Sequence, residues 1–434
     1  MTLTCDLFCT VVDNYGDIGV CWRLAKCLRD EGVAVRLWVD DLASFAKLCP
    51  EADPAREGQM CRGVAILRWL PSPTGVTSDL AALPPSRMAS GFFRGVGGGG
   101  VADLVIGAFA CELSADYVAA MAARTEPPLW INLEYLSAED WVEGCHKLPS
   151  PHPTLPLTKY FFFPGFTPKT GGLLLERGLL ARRDAFRRDP QAIAEYWQSF
   201  GLPAPQPGEL RVSLFGYENA AVGELLQAWS AGEKPVTCLV PEGRILPQVA
   251  AFFGGASFDR PVLSDVKRLR TNGSLAGVIW QRGKLRVAVL PFVEQERYDT
   301  LLWACDVNFV RGEDSCVRAQ WAARPFVWQI YPQHDGVHRD KLRAFLARYR
   351  EGLAEETAAA LAGLWEAWNA ECDVAASWRA FIAQREVLQV RAEGWAEQLS
   401  GNNLALNLLD FYRETGRMRA FDLAPSQLPE GKTT

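Results

Sequence analysis

The chain has no Cys-x-x-Cys pair, no Asp-x-Asp, and no uninterrupted apolar run of about 18 residues. Each absence excludes something. Without the long apolar run there is no membrane-spanning helix to expect. Met1 to Asp6 carries neither the basic segment nor the apolar core of a signal peptide. The 12 cysteines include Cys5, Cys9, Cys238 and Cys305, all inside apolar runs. There they serve as small buried hydrophobes, which suits a reducing, cytoplasmic setting. The missing Asp-x-Asp removes a common way of holding a divalent ion on a nucleotide diphosphate. His334 and His338 are four apart, but Asp335 stands where a zinc helix of the His-Glu-x-x-His type carries Glu, so they read as surface or loop histidines. There is no nucleophile elbow and no Ser-His-Asp arrangement. The net charge is -6, and no basic stripe appears, so a nucleic-acid partner is not expected. The basic run Arg177, Arg182, Arg183, Arg187 and Arg188 alternates with Glu176, Asp184 and Asp189 and reads as a solvated helix face.

What is present is a chain of 434 residues, 49% of them hydrophobic, long enough for two domains with separate cores. Leu3 to Val12 reads as a buried strand, Asp13 to Gly19 as a glycine turn, Val20 to Asp30 as a helix and Val33 to Val39 as a second strand. That order opens a doubly wound α/β fold. Strands are expected at Val64 to Leu70, Leu104 to Ile106 and Leu129 to Leu133. The glycine-rich stretch Ser90 to Gly100 reads as a loop. The Phe-rich segment Tyr160 to Gly165 marks the end of the first unit. Linking helices between Glu176 and Phe200 and a Pro-rich spacer lead to a second αβ series. Its strands are Leu210 to Phe215, Val236 to Val240, Leu285 to Leu290, Val307 to Val310 and Phe326 to Ile330. From Lys341 onward the pattern is helical, including one run from Ala375 to Leu399. The expected architecture is two facing Rossmann-like domains, 1–180 and 181–434, with terminal helices and a cleft between the domains.

Two turns carry the chemistry. Asp13 and Asp17 flank a glycine turn at the end of the first strand. Plain capping and an Asx turn explain both, but Gly16 and Gly19 bracket Asp17 and permit a close approach from elsewhere. In the second half, Arg311-Gly312-Glu313-Asp314-Ser315 leaves a strand for an amphipathic helix, with Ser315 read as its N-cap and Ser315 to Ala323 as its span. Such a helix start attracts phosphate. Capping accounts for one of the carboxylates Glu313 and Asp314 more easily than for two. Phe215 and Tyr217, after another strand, and Phe292 and Tyr298, around Gln295, suit either core packing or stacking on a base.

Val11-Val12-Asp13-Asn14-Tyr15-Gly16-Asp17-Ile18-Gly19-Val20-Cys21-Trp22-Arg23-Leu24 resembles the opening of the elongation factor P arginine rhamnosyltransferases (EarP). Arg311 to Trp321 with Pro325-Phe326-Val327-Trp328 resembles that family's second signature, and Ser213 to Asn219 and Leu290 to Val293 also match. Cys316 stands where the family has Phe, and the Gly97 to Gly100 run is foreign to it. The resemblance implies a GT-B fold. It implies inverting, metal-independent transfer of rhamnose from dTDP-β-L-rhamnose to an arginine of elongation factor P, with no cofactor. It places catalysis at Asp17, Asp13 and Glu313, with Asp17 as base. Donor binding falls to Asn14, Tyr15, Gly16, Phe215, Tyr217, Phe292, Gln295, Tyr298, Glu313, Asp314 and Ser315. The competing expectation is a GT-B enzyme using another nucleotide sugar and a small-molecule acceptor.

Overall fold

A computed structural model of the chain describes residues 2–11, 15–69, 100–109, 111–254, 275–332 and 336–415. Asp13, Asn14, His334 and all of the Ser90 to Gly100 stretch except Gly100 lie outside them.

The strands form two sheets. The first runs β3-β4-β2-β1-β5-β6-β8-β7 and the second β11-β12-β10-β9-β13-β14. In the first, β1 (Thr4–Cys9), β2 (Ala34–Val39), β4 (Val64–Arg68), β5 (Leu104–Ala108), β6 (Leu129–Leu133) and β8 (Thr158–Phe162) are parallel. The short edge strands β3 (Gly58–Cys61) and β7 (Pro149–Pro151) are antiparallel. The second holds β9 (Leu210–Leu214), β10 (Val236–Pro241), β12 (Leu285–Leu290), β13 (Val307–Arg311) and β14 (Phe326–Gln329) in parallel. Here β11 (Ile279–Arg282) is the antiparallel edge. Parallel strands buried on both faces need apolar runs, and β9, β10 and β13 are buried throughout. The exception in β1 is Asp6, fully buried, whose carboxylate accepts from the Arg36 guanidinium at 2.5 and 2.6 Å and from Trp38 Nε1 at 2.9 Å. Arg36 is its register partner on β2, so the strand carries its buried charge already paired.

Several helices differ from the sequence reading. The first, α1, spans Gly16–Asp30 and begins within the glycine turn. The run from Ala375 to Leu399 is two helices, Val374–Ala383 and Arg385–Leu399, broken at Gln384. The edge strands β3, β7 and β11 were not anticipated; three or four residues give too little alternation to register. The basic segment is only partly a solvated face. Arg183 donates to Trp321 O at 2.8 Å, and Arg187 donates to Ala323 O at 3.2 Å. Both therefore satisfy carbonyls at the C-terminus of the helix Gly312–Ala322.

The last described helix, Leu404–Glu414, places Leu404, Leu408, Leu409 and Phe411 in the hydrophobic core of the first sheet. The chain thus crosses from the second sheet back to the first. Cys5, Cys9, Cys238 and Cys305 are buried and unpaired. No helix among the described residues is long and apolar enough to cross a membrane.

Candidate active site between the two sheets

Strand order places the site. In the first sheet the order reverses beside β1; in the second it reverses between β9 and β13. Ligands bind outside the carboxyl ends of strands at such points. A cleft with about 650 Å³ of free space, part of it open to solvent, lies there. Its walls come from the carboxyl ends of five strands. Tyr15 and Gly16 follow β1, Phe215 follows β9, Glu242 follows β10, Phe292 and Val293 follow β12, and Arg311, Asp314 and Ser315 close β13. Pro241, Gln295, Tyr298, Arg23 and Leu48 complete the lining.

The turn after β13 differs from the sequence reading by one helical turn. The helix, α10 when the described helices are counted in chain order, starts at Gly312, not Ser315. Gly312 has φ +64°, a left-handed conformation that glycine adopts freely. Glu313 and Asp314 therefore sit inside the first turn. Ser315 works from within the helix: its hydroxyl accepts from Arg311 N–H at 3.0 Å and donates to Arg311 O. This ties the end of β13 to the helix, whose first-turn residues Asp314 and Ser315 line the cleft. Beside them the Arg311 guanidinium lies between two rings, 4.6 Å from the centroid of Phe215 and 4.5 Å from that of Tyr217. A cation, aromatic faces and a helix N-terminus meet at one end of the cleft, which suits a phosphate ester carrying a base.

The expected donor residues Tyr15, Gly16, Phe215, Phe292, Gln295, Tyr298, Asp314 and Ser315 come together in this one cleft. Tyr15 and Phe292 meet across it with ring centroids 4.9 Å apart, and Lys47 donates to the Tyr15 hydroxyl at 2.9 Å. The Tyr298 hydroxyl is buried beside Ser315 and meets the geometry of a hydrogen bond with no partner among the described residues. Burial, and then the neighbouring Asp314, push that phenol well above its ordinary pKa, so it stands as a donor. Tyr217 is only 3% exposed and stands behind Arg311, outside the lining. Glu313 points elsewhere. Its Oε2 accepts from Leu136 N–H at 3.1 Å, and it lines a second, smaller cavity between the domains with Leu136, Leu173 and Val317. Asp17 occupies the first turn of α1, 5% exposed, next to the cleft-lining Gly16.

Sequence reasoning missed the residues that join the two halves. Arg23 of α1 donates from Nε to Asp314 Oδ1 at 2.9 Å and from Nη1 to Glu176 Oε1 at 2.8 Å. Its two terminal nitrogens also grip Asp299 at 3.0 and 3.1 Å. Arg318 grips the same Asp299 at 2.9 and 2.7 Å and Glu176 Oε2 at 2.6 Å. Burial works to raise the Glu176 pKa, but the Arg318 and Arg23 guanidiniums overcome it and hold Glu176 well below the usual carboxylate range. For Asp314 burial prevails over Arg23, and its pKa stands above the ordinary value. Gly19 is the one legible sign of this junction. A Cβ there would lie 3.3 Å from Gln295 Nε2 and 3.4 Å from Asp314 Oδ2. The close approach is by side chains of the second domain.

Among the described residues, Cys49, Glu51 and Cys61 bring three potential metal ligands within 4.8 Å of one another. None of the three lines the cleft.

Two facing, mostly parallel sheets with a cleft at their strand ends define a GT-B glycosyltransferase. The chain belongs to the family of Elongation-Factor P (EF-P) rhamnosyltransferases, EarP, whose model matches residues 5–413. It is 48% identical to a protein-arginine rhamnosyltransferase of Pseudomonas putida, over 96% of this chain and 100% of that one. It is 33% identical to one of Neisseria meningitidis, over 91% and 90%. A solved structure described as the structural basis for EarP-mediated arginine glycosylation of translation elongation factor EF-P superposes with TM-score 0.62 at 36% identity. It covers 95% of this chain and 99% of that one. A UDP-glucosyltransferase from Polygonum tinctorium, 10% identical with TM-score 0.50 over 96% and 99%, shares the fold. The chain is an enzyme of the protein-arginine rhamnosyltransferase family.

Proposed function

We propose that this enzyme transfers L-rhamnose from dTDP-β-L-rhamnose to one arginine side chain of elongation factor P, with inversion and without a metal. The observation that carries this reading is the division of the cleft. One wall offers a phosphate-binding helix start with Arg311 and aromatic rings. The other begins at the first turn of α1, where Asp17 stands.

The acceptor sets the problem. A guanidinium has a pKa above about 12, and a carboxylate near about 3.9 cannot deprotonate it in a separate step. The proton must leave as the C–N bond forms, when the nitrogen becomes acidic. Asp17 takes it in this reading, and Asp13 holds the guanidinium fork or supports Asp17. Attack from the face opposite the diphosphate inverts the anomeric carbon. Charge developing on the leaving diphosphate is met by the first-turn amides after Gly312 and by Arg311. Asp314 and the Tyr298 hydroxyl sit where they can pair with sugar hydroxyls. Glu313, bonded to Leu136 N–H, supports the wall rather than moving a proton.

Ser315→Ala should weaken dTDP binding by about 1 kcal/mol, because the β13-to-helix turn loses its tether. Calorimetric titration reads this, and an unchanged affinity would place the diphosphate elsewhere. The reading as a whole is tested by the intact mass of elongation factor P after incubation with enzyme and dTDP-β-L-rhamnose. A gain of one deoxyhexose is expected. No gain, with an equal reaction on a small-molecule acceptor, would favour the competing reading.

A further inference from the structure

We propose that Arg23 is a positioning residue for the transfer reaction: reaching across from the first domain, it orients the donor-site carboxylate of Asp314, so that donor binding and domain closure become one event. This rests on reading the cleft as the nucleotide-sugar site.

The geometry separates Asp314 from the rest of the buried cluster. Asp299 and Glu176 each bond both Arg23 and Arg318. Those four groups form a closed, charge-balanced ring. Asp314 is the extra carboxylate. Among the described residues its side chain is held by one bond, from Arg23 Nε at 2.9 Å. Arg23 itself is 1% exposed and spends its remaining nitrogens on the ring. Asp314 alone of the three carboxylates lines the cleft. Arg23 arrives on α1, while Asp314 and Arg318 stand on α10 and Asp299 on the helix Gln295–Ala304. The single bond to Asp314 therefore exists only when the domains are together. The absent side chain of Gly19, one turn before Arg23, lets Asp314 and Gln295 reach α1.

Arg23 also sets the charge of Asp314. The groups facing that carboxylate are Arg23 on α1, Arg318 on its own helix, Asp299 and Tyr298 on the helix Gln295–Ala304, and Glu176 before the linking helices. Burial, Asp299 and Glu176 favour the protonated form; Arg23 and Arg318 oppose it. Weakening the Arg23 contact raises the pKa of Asp314 further. The ionised carboxylate, the form that accepts from a sugar hydroxyl, is then lost at a higher pH as acidity increases.

The test compares Arg23→Lys with Arg318→Lys. Both keep the cation and disturb the same ring, but only the first touches Asp314. Binding of dTDP-β-L-rhamnose is measured from pH 5 to pH 8. For Arg23→Lys the pH at which affinity falls should move up by about one unit, an affinity loss on the order of tenfold at the acid end. Arg318→Lys should keep the wild-type profile. Adding Asp314→Asn to Arg23→Lys should cost nothing beyond Asp314→Asn alone. Matching profiles for the two Lys variants, or additive losses, would overturn the inference. If Arg23→Lys does not fold, Gly19→Ala serves. It favours the helix but crowds Asp314, and several-fold weaker donor binding is expected; unchanged binding would overturn the inference. Wild-type enzyme that binds no dTDP-sugar defeats the parent reading, an outcome distinct from all of these.

Discussion

Asp17→Asn is expected to bind dTDP as the wild type does and to lose transfer by a factor of about 10²–10⁴. The amide keeps the size of the carboxylate and removes its capacity to take a proton. Asp17 lies in the first turn of α1, where a negative charge also favours the helix dipole. That structural role alone is worth only about 0.3–1 kcal/mol of stability and leaves turnover intact. The two roles therefore separate in one variant. Lost turnover with near-normal melting identifies the base, whereas a small fall in melting temperature with normal turnover identifies a helix-start charge. Calorimetry for dTDP, thermal unfolding and single-turnover transfer are the three readings.

Asp299→Ala is expected to destabilise the joined domains by about 3–5 kcal/mol, the cost of leaving buried charges without their partner. Asp299 is 2% exposed and receives four hydrogen bonds from Arg23 and Arg318. Urea unfolding should show the loss. The contrast is Arg62, whose bonds to Glu294 and Glu296 also span the two domains but lie at the surface. Removing it should cost less than about 1 kcal/mol. Equal effects would mean that the buried ring is no stronger than a solvated pair. Acid should weaken the same junction. Glu176 has a depressed pKa in the folded protein, so its contribution is present above its unfolded value and is lost as pH falls through its folded value. Asp314, with a raised pKa, works in the opposite sense.

Much of this arrangement is legible in the sequence. Apolar runs buried on both faces mark most of the parallel strands, though not the half-buried β8, and two αβ series in succession lead to two Rossmann-like units. The glycine turn at Asp17 and the strand-to-helix turn at Asp314 both fall at strand ends, where the cleft opens. The remainder was hidden for physical reasons. Arg23 and Arg318 sit on amphipathic helices, where a charged residue reads as solvated. Most of their partners lie far off in sequence: Glu176 is 153 residues from Arg23 and 142 from Arg318, and Asp299 is 276 residues from Arg23. Periodicity within a helix carries no information about a second domain closing over it. Ser315 resembled an N-cap because Ser precedes an apolar-periodic run. Gly312 can turn the chain one turn earlier, and the Ser315 hydroxyl then satisfies Arg311 from inside the helix. Arg183 and Arg187 read as surface charges because the helix end they cap comes from a segment more than a hundred residues later. Glu313 and Asp314, neighbours in sequence, share the smaller cavity, but only Asp314 also reaches the cleft, because successive helix positions diverge by about 100°. That divergence is why a motif reading could not divide their labour.

The central proposal is tested most directly by mapping the modified residue. Elongation factor P would be incubated with dTDP-β-L-rhamnose and either wild-type enzyme or Asp17→Asn, then digested and sequenced by mass spectrometry under conditions that keep the glycan attached. The expected result is one deoxyhexose on a single arginine with the wild type and none with the variant. A sugar on another residue type, no sugar with the wild type, or equal modification by Asp17→Asn would contradict it.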